Sequence, residues 1–183
     1  MGGWGSFAQL VFELAVDLGS KRRFGKTDRR RPLRSLPRSG GWESGHRARL
    51  PRWCAPIVMA AIKVVDASAL AALLFGEPEA DAIAGQLADA RLVAPSLLAF
   101  ELANVCLIKA RRHPELRQAL VAAFRLHRRL GVEEAAVDLD EVLGVATETG
   151  LTAYDASYLW LASALGAELV TLDRAVETAA RQR

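Results

Sequence analysis

The chain has few of the residues that build disulfide-linked or zinc-binding folds. Its 183 residues include two cysteines and three histidines. Cys54 and Cys106 lie 52 positions apart, and neither has a second Cys or a His at the spacing of a zinc-ligand pair. The sequence therefore predicts neither a disulfide framework nor a zinc site, and it favours the reducing environment of the cytoplasm.

Long apolar runs and glycine-rich phosphate loops are absent as well. No segment matches the GxxxxGK pattern, so nucleotide hydrolysis is not indicated. The apolar stretch from Phe7 to Leu18 contains two acids, and its basic neighbours follow it, whereas a secretory signal has them in front. The stretch is also too short to cross a bilayer. We therefore predict neither export nor membrane insertion, and we expect a cytoplasmic protein.

Charge is distributed unevenly along the sequence. Residues 1–58 contain 12 Lys and Arg against 4 Asp and Glu, a net charge of +8, whereas residues 59–183 have a net charge of −5. Residues 19–58 also hold four prolines and show no apolar periodicity. We predict that residues 1–58 form a basic N-terminal extension, disordered or acting as a linker, which either binds nucleic acid or is a solvated tail. Alternatively, Met59 is the natural start of the protein, because it directly precedes the first strand-like run.

Residues 59–183 show strands that alternate with helices. Apolar runs predict strands at 61–65, 92–94, 135–137 and 169–172. Helices are predicted at 67–75, 78–90, 95–110, 115–130, 140–149 and 153–165, followed by a terminal helix that Asp173 caps. A chain of this length buries one ordinary core. The sequence therefore predicts one α/β domain with three layers, in which helices cover both faces of a central parallel sheet.

Four acidic residues stand where an apolar run meets polar sequence: Asp66, Glu101, Asp155 and Asp173. Sites in open parallel sheets collect at the carboxyl ends of the strands, where the first and last of these acids are predicted to lie. Taken singly, each aspartate fits a helix N-cap and the glutamate fits a solvated helical side chain. Those roles do not explain why all four acids are placed in this way. Together the four acids predict a carboxylate pocket for a divalent metal ion that acts on phosphates.

These acids lie in four short motifs. The motifs are Val64-Val65-Asp66-Ala67-Ser68, Pro95-Ser96 with Glu101-Leu102-Ala103-Asn104-Val105, Leu151-Thr152-Ala153-Tyr154-Asp155-Ala156, and Leu169-Val170-Thr171-Leu172-Asp173. Their order and spacing resemble those of PIN-domain ribonucleases, and the nearest branch is the VapC toxins of bacterial toxin-antitoxin pairs. The resemblance extends from Ile62 to about Ala180, and residues 1–58 have no counterpart in it.

The resemblance implies a PIN-like fold and a metal-dependent endoribonuclease. The four acids would be catalytic and would hold Mg²⁺ or Mn²⁺, with Ser68 and Thr171 as supporting hydroxyls. Carboxylate oxygens suit these hard cations, which lower the pKa of bound water beside a scissile phosphate. The resemblance also implies an RNA substrate, a homodimer, and a small antitoxin that binds near the first two helices.

Seven cations lie within 21 residues around the third and fourth predicted helices. They either follow an RNA backbone or form a solvated helical face. Few aromatic residues accompany them, so a base-stacking platform is not indicated there. His113 and His127 in the same stretch are predicted to be surface residues. The seven cations are Lys109, Arg111, Arg112, Arg117, Arg125, Arg128 and Arg129.

The apolar residues of the first two helices have the spacing of a core face. They are Leu70, Leu73, Leu74, Phe75, Ile83 and Leu87. On a later helix, Tyr158 and Trp160 cannot share a face, so one is predicted to be buried and the other to lie at a surface or interface.

Three functions stay open on the sequence. The first is the toxin of a toxin-antitoxin pair, and the second is a PIN-fold nuclease that processes RNA without an antitoxin. The third, a non-catalytic RNA-binding module, is disfavoured because a module of that kind has no use for four acids that repel one another.

Overall fold

Four short parallel strands form the centre of the domain. The computed structural model describes residues 60–183, so the predictions made for residues 1–58 and Met59 lie outside the described residues. The strands are β1 (Ile62–Val65), β2 (Arg91–Pro95), β3 (Glu133–Ala135) and β4 (Glu168–Val170). Their order in the sheet is β3-β2-β1-β4, and each neighbouring pair is parallel. The predicted parallel α/β fold is confirmed.

Seven α-helices surround this sheet in the described part of the chain. They are α1 (Ala67–Phe75), α2 (Ala80–Leu87), α3 (Leu98–Arg112), α4 (Arg117–Arg125), α5 (Leu139–Thr149), α6 (Ala153–Leu165) and α7 (Arg174–Arg181). None of these helices is long and apolar enough to cross a bilayer. Two 3₁₀ turns, Pro114–Leu116 and Leu126–Arg129, flank α4.

The helices pack in two apolar clusters. The larger cluster joins β1 and β2 to α1, α2, α3 and α6, and it contains all six apolar side chains that the sequence assigns to a core face. The smaller cluster joins α5, α6 and α7 through Val142, Leu159 and Ala179. Tyr158 is fully buried, whereas Trp160 is partly exposed and donates a hydrogen bond from Nε1 to Glu141 Oε2 at 2.6 Å. The predicted division between the two aromatic residues is confirmed.

Helix α6 has the predicted bounds because both of its ends are specified locally. Thr152 caps its first turn, since Thr152 Oγ1 accepts a hydrogen bond from the backbone N–H of Asp155 at 3.2 Å. Gly166 ends it with φ of 56°, in the left-handed region that favours glycine.

The bounds of several other elements differ from prediction, among them the second and third helices, which span Ala80–Leu87 and Leu98–Arg112 instead of 78–90 and 95–110. The helix predicted over 115–130 is shorter, because 3₁₀ turns replace its first and last turns. Strand β3 lies two residues earlier than the apolar run at 135–137. It pairs with β2 from Val93–Glu133 to Pro95–Ala135, and Arg91 at the start of β2 forms an ion pair with Glu133 at 2.5 Å. Pairing with β2 therefore outweighs the apolar pattern at this edge.

Helix α5 begins at Leu139 because Asp138 caps it. Asp138 Oδ1 accepts hydrogen bonds from the N–H groups of Asp140 at 3.0 Å and Glu141 at 3.2 Å. We predict that Asp138→Ala lowers the free energy of unfolding by about 1 kcal/mol. Asp140→Ala, two residues later in the first turn of α5, is the matched control. It should change the free energy of unfolding by less than about 0.5 kcal/mol. Urea unfolding of both variants measures the difference, and equal losses would contradict the cap assignment.

Candidate active site

Asp66 lies directly beyond β1 and is almost fully buried. Its N–H donates to the carbonyl oxygen of Val170 at 2.9 Å, which continues the pairing of β1 with β4 by one residue. Its carboxylate Oδ2 accepts hydrogen bonds from Ser68 Oγ at 2.5 Å and Thr171 Oγ1 at 2.7 Å. The side chain makes no capping bond to α1. Asp66 therefore occupies the N-cap position of α1 without the side-chain capping bond that the sequence allowed.

The two hydroxyls that bind Asp66 also connect the end of β4 to the start of α1. Ser68 Oγ accepts from the N–H of Leu172 at 2.9 Å, and Thr171 Oγ1 accepts from the N–H of Asp173 at 3.0 Å. Each hydroxyl thus donates to the carboxylate and accepts from the backbone. This arrangement holds Asp66 in one orientation.

Glu101 lies in the first turn of α3 and is half-buried. Its Oε2 accepts a hydrogen bond from the hydroxyl of Tyr158 at 2.5 Å. Burial raises the pKa of Glu101 above its ordinary value, the hydrogen bond from Tyr158 opposes that shift, and the charges of Asp66 and Asp155 add to it. Three carboxylates therefore lie close enough together to interact through their charges.

Tyr158 is a member of this site that the sequence did not reveal. Burial raises the pKa of its hydroxyl, and the hydrogen bond to Glu101 and the nearby carboxylate charges raise it further. The phenol therefore stays protonated and remains a hydrogen-bond donor. The sequence did contain a signal for this role. Tyr158 stands three residues after Asp155 on the same helical face, and the hydroxyl of a buried tyrosine needs a hydrogen-bond partner.

Asp155 lies in the first turn of α6, where Thr152 rather than Asp155 is the N-cap. The Thr152 hydroxyl accepts from the Asp155 N–H and donates to Asp155 Oδ2 at 2.7 Å. Thr152 is the second residue of the site that the sequence did not reveal. The predicted capping role of Asp155 is wrong, and its carboxylate is held by the cap instead.

Asp173 is placed differently from the other three acids. Its Oδ1 accepts from the N–H groups of Ala175 at 2.7 Å and Val176 at 3.2 Å, so it caps α7 as predicted. The carboxylate charges that act on Glu101 and Tyr158 come from the other acids of the site and not from Asp173. Asp173 is exposed and joins the site at its rim, through its N–H bond to Thr171.

The arrangement fits an oxygen-ligated cation in an open site. In each of Asp66, Glu101 and Asp155, only one of the two carboxylate oxygens accepts hydrogen bonds from hydroxyl groups. That oxygen is Oδ2 in the aspartates and Oε2 in the glutamate. Within residues 60–183 no three or more His, Cys, Asp or Glu side chains are grouped closely enough to hold a metal ion by themselves, so the complete carboxylate pocket expected from the sequence is not seen. Mg²⁺ does not require one, because it keeps several waters and takes oxygens from substrate phosphate.

The seven predicted cations fall into two groups. Lys109 forms an ion pair with Glu77 at 2.7 Å and lies 5.8 Å above the ring of Phe75, so its charge is engaged within the domain. The six arginines are exposed. Arg128 and the half-buried His127 line a pocket of about 410 Å³ together with Ala99, in the first turn of the helix that holds Glu101.

The Tyr158 hydroxyl is predicted to oppose the protonation of Glu101. A carboxyl whose pKa is raised on folding contributes stability that is lost as pH rises through the interval between the unfolded and folded pKa values. The free energy of unfolding of metal-free Tyr158→Phe should therefore fall more than that of wild type as pH rises from about 4 to about 7. Carboxyl NMR titration should also show a higher Glu101 pKa in this variant.

Tyr154→Phe is the matched control for this experiment. It removes a phenol hydroxyl from the same helix, but from a residue that makes no hydrogen bond to Glu101. An equal Glu101 pKa in wild type and Tyr158→Phe would show that the hydroxyl has no such effect.

Comparisons with known proteins agree with this geometry. Residues 63–182 match the PIN domain family. The chain is 35% identical over 116 residues to Ribonuclease VapC3 of Pyrobaculum aerophilum, an alignment that covers 61% of this chain and 88% of that protein. A segment of 36 residues is 64% identical to Exonuclease VapC9 of the same organism, and it covers 20% of this chain and 27% of that protein.

A solved structure shows the same fold. The crystal structure of PAE2754 from Pyrobaculum aerophilum superposes with a TM-score of 0.54 and 34% sequence identity, over 66% of this chain and 86% of that chain. The family match extends over most of the chain, from β1 to α7. This chain therefore belongs to the PIN domain family, and VapC proteins are among its relatives.

Proposed function

We propose that the protein is a metal-dependent endoribonuclease and the toxin of a type II toxin-antitoxin pair. The main support is the group of three interacting carboxylates, Asp66, Glu101 and Asp155, each held by a hydroxyl on one oxygen. A set of carboxylates that repel one another is expected where a cation is bound. The relative named Ribonuclease VapC3 supports RNA as the substrate.

In this proposal Asp66 is the central ligand for Mg²⁺ or Mn²⁺, and Glu101 and Asp155 complete the site. When bound, the cation supplies Lewis-acid chemistry, which neutralises charge on the scissile phosphate and activates water. Ser68 and Thr171 orient Asp66, and Tyr158 orients Glu101, as outer-shell partners orient metal ligands in other proteins. Asp173 at the rim acts as a further ligand or orients water.

The exposed arginines of α3, α4 and the following turn form the proposed RNA path. Arg128 borders a pocket that is also lined by the turn of α3 that holds Glu101, and Glu134 contributes one acid to the same pocket. Positive charge on such a path attracts phosphate and offsets its repulsion by the acidic site. Lys109 is the weakest member of the set because Glu77 already pairs with it.

The antitoxin and the homodimer are the parts of the proposal that rest mainly on the VapC relatives. The six apolar side chains of α1 and α2 that the sequence assigns to a core face are buried within the domain, so a partner near these helices would contact their other side chains. Leu107 and Ile108 on α3 and Leu139 and Leu143 on α5 are exposed and offer apolar area for a partner. A short upstream reading frame that encodes a DNA-binding protein would favour the toxin over an RNA-processing nuclease.

The relative named Exonuclease VapC9 favours a second mode, removal of nucleotides from an RNA end. A circular RNA and its linear form of the same sequence separate the two modes. An endoribonuclease cuts both forms, whereas an exonuclease cuts only the linear one.

Asp66→Asn is predicted to abolish cleavage of a labelled structured RNA in Mg²⁺ or Mn²⁺. Asn keeps an oxygen that accepts hydrogen bonds from Ser68 and Thr171, but it removes one of the repelling charges. The metal-free variant should therefore melt at the same temperature as wild type in chelator or at a higher one. Cleavage that persists in the variant or in chelator would contradict the proposal.

Arg125→Gln with Arg128→Gln is predicted to raise KM and leave kcat unchanged. The slope of log KM against log salt should fall in magnitude by about 1 for each RNA phosphate that an arginine no longer neutralises. Arg181→Gln is the control, because this arginine lies at the end of α7 and pairs with Glu177 at 2.6 Å. An unchanged salt slope in the double variant would show that these arginines form only a solvated face.

A further inference from the structure

Two exposed aromatic side chains lie beside the candidate active site. Phe100 on α3 is 81% exposed and Tyr154 on α6 is 66% exposed. Each directly precedes a carboxylate of the site in the sequence, Glu101 or Asp155. Large aromatic groups left in water are informative, because packing within the domain does not explain them.

The two rings border the same pocket. It has a volume of about 320 Å³ and is lined by Leu97, Phe100, Glu101, Asn104 and Tyr154. This volume is at the lower end of the range of about 300–1,000 Å³ found for ligand pockets. The side chain of Leu97 packs against the main core, so it forms a fixed apolar wall.

The charge of the pocket limits what it can bind. No Lys or Arg is among its lining residues, and Glu101 places a carboxylate in its wall. The side chains of the pocket therefore offer no positive charge to hold a phosphate group. A flat neutral group that stacks on aromatic rings fits better, and the nucleobase is the part of an RNA chain with those properties.

We propose that this pocket binds one unpaired nucleobase of the substrate, next to the phosphate that is cleaved. The base stacks on Phe100 and Tyr154, and the Asn104 carboxamide, which has both donors and acceptors, contacts the base edge. The proposal rests on the ribonuclease function proposed above and adds a specificity-determining subsite to it. Phe100 and Tyr154 supply affinity for any base, and Asn104 supplies a preference among bases.

Fluorescence of 2-aminopurine tests the stacking, because this base is quenched when it stacks. The probe is a short oligouridine with one 2-aminopurine ribonucleotide, titrated with the full-length Asp66→Asn protein so that it is not cleaved. We expect quenching on binding. Adding Phe100→Leu or Tyr154→Leu should abolish it and weaken binding by roughly 5- to 150-fold.

Two further variants separate stacking from apolar contact and from folding. Phe100→Trp keeps a ring face and should retain the quenching, whereas Phe100→Leu keeps apolar volume and should not. Leu165→Ala is the matched control, because Leu165 is 42% exposed at the opposite end of the helix that holds Tyr154. All variants should melt within a few degrees of the parent protein, since the substituted side chains are exposed.

Cleavage by the protein with Asp66 intact distinguishes failure of the subsite from failure of the ribonuclease function. If it cleaves RNA in Mg²⁺ or Mn²⁺ but quenching, KM and base preference are unchanged by Phe100→Leu and Tyr154→Leu, the subsite is overturned and the nuclease stands. In that case, contact with a protein partner would be the remaining explanation for the exposed rings of Phe100 and Tyr154. If it does not cleave RNA but quenching still depends on both rings, the base site stands and the nuclease proposal fails.

Discussion

Holding three carboxylates at one end of the sheet with hydroxyl partners is the constraint on which the candidate site depends. Asp66, Glu101 and Asp155 interact through their charges, and each accepts a hydrogen bond from at least one hydroxyl. A hydroxyl stabilises an anion without adding a positive charge, so the negative charge of the carboxylate is not neutralised. A Lys or Arg in the same position would neutralise it. The choice of hydroxyl partners is therefore as informative as the acids themselves.

The sheet supplies the geometry that this constraint requires. Strand β1 lies between β2 and β4, and its pairing with β4 continues through the N–H of Asp66. Thr171, which directly follows β4, is thereby brought to the carboxylate of Asp66, although 105 positions separate the two residues. Helix α3 follows β2 and presents Glu101 in its first turn, and α6 crosses the same region with Asp155 and Tyr158.

Local signals in the sequence predicted the fold well and the contacts of the site only in part. The bounds of α6 depend on Thr152 and Gly166 at its own ends, so a short window of sequence contains them. The position of β3 depends on Arg91 in another strand, and the partner of Tyr158 lies 57 residues away, so no local pattern reveals either. The same limit explains the aspartates. An Asp at a helix start looks like a cap whether its oxygens bind the backbone, as in Asp173, or hydroxyls from elsewhere.

The two borders of the sheet have a consequence for association. In the sheet that residues 60–183 form, both outermost strands, β3 and β4, are only three residues long. Each begins with a glutamate whose charge pairs with the strand beside it: Glu133 with Arg91, and Glu168 with Lys63. Short, charged borders resist the addition of a foreign strand. Association through helical surfaces is therefore favoured over extension of the sheet by a strand from another chain.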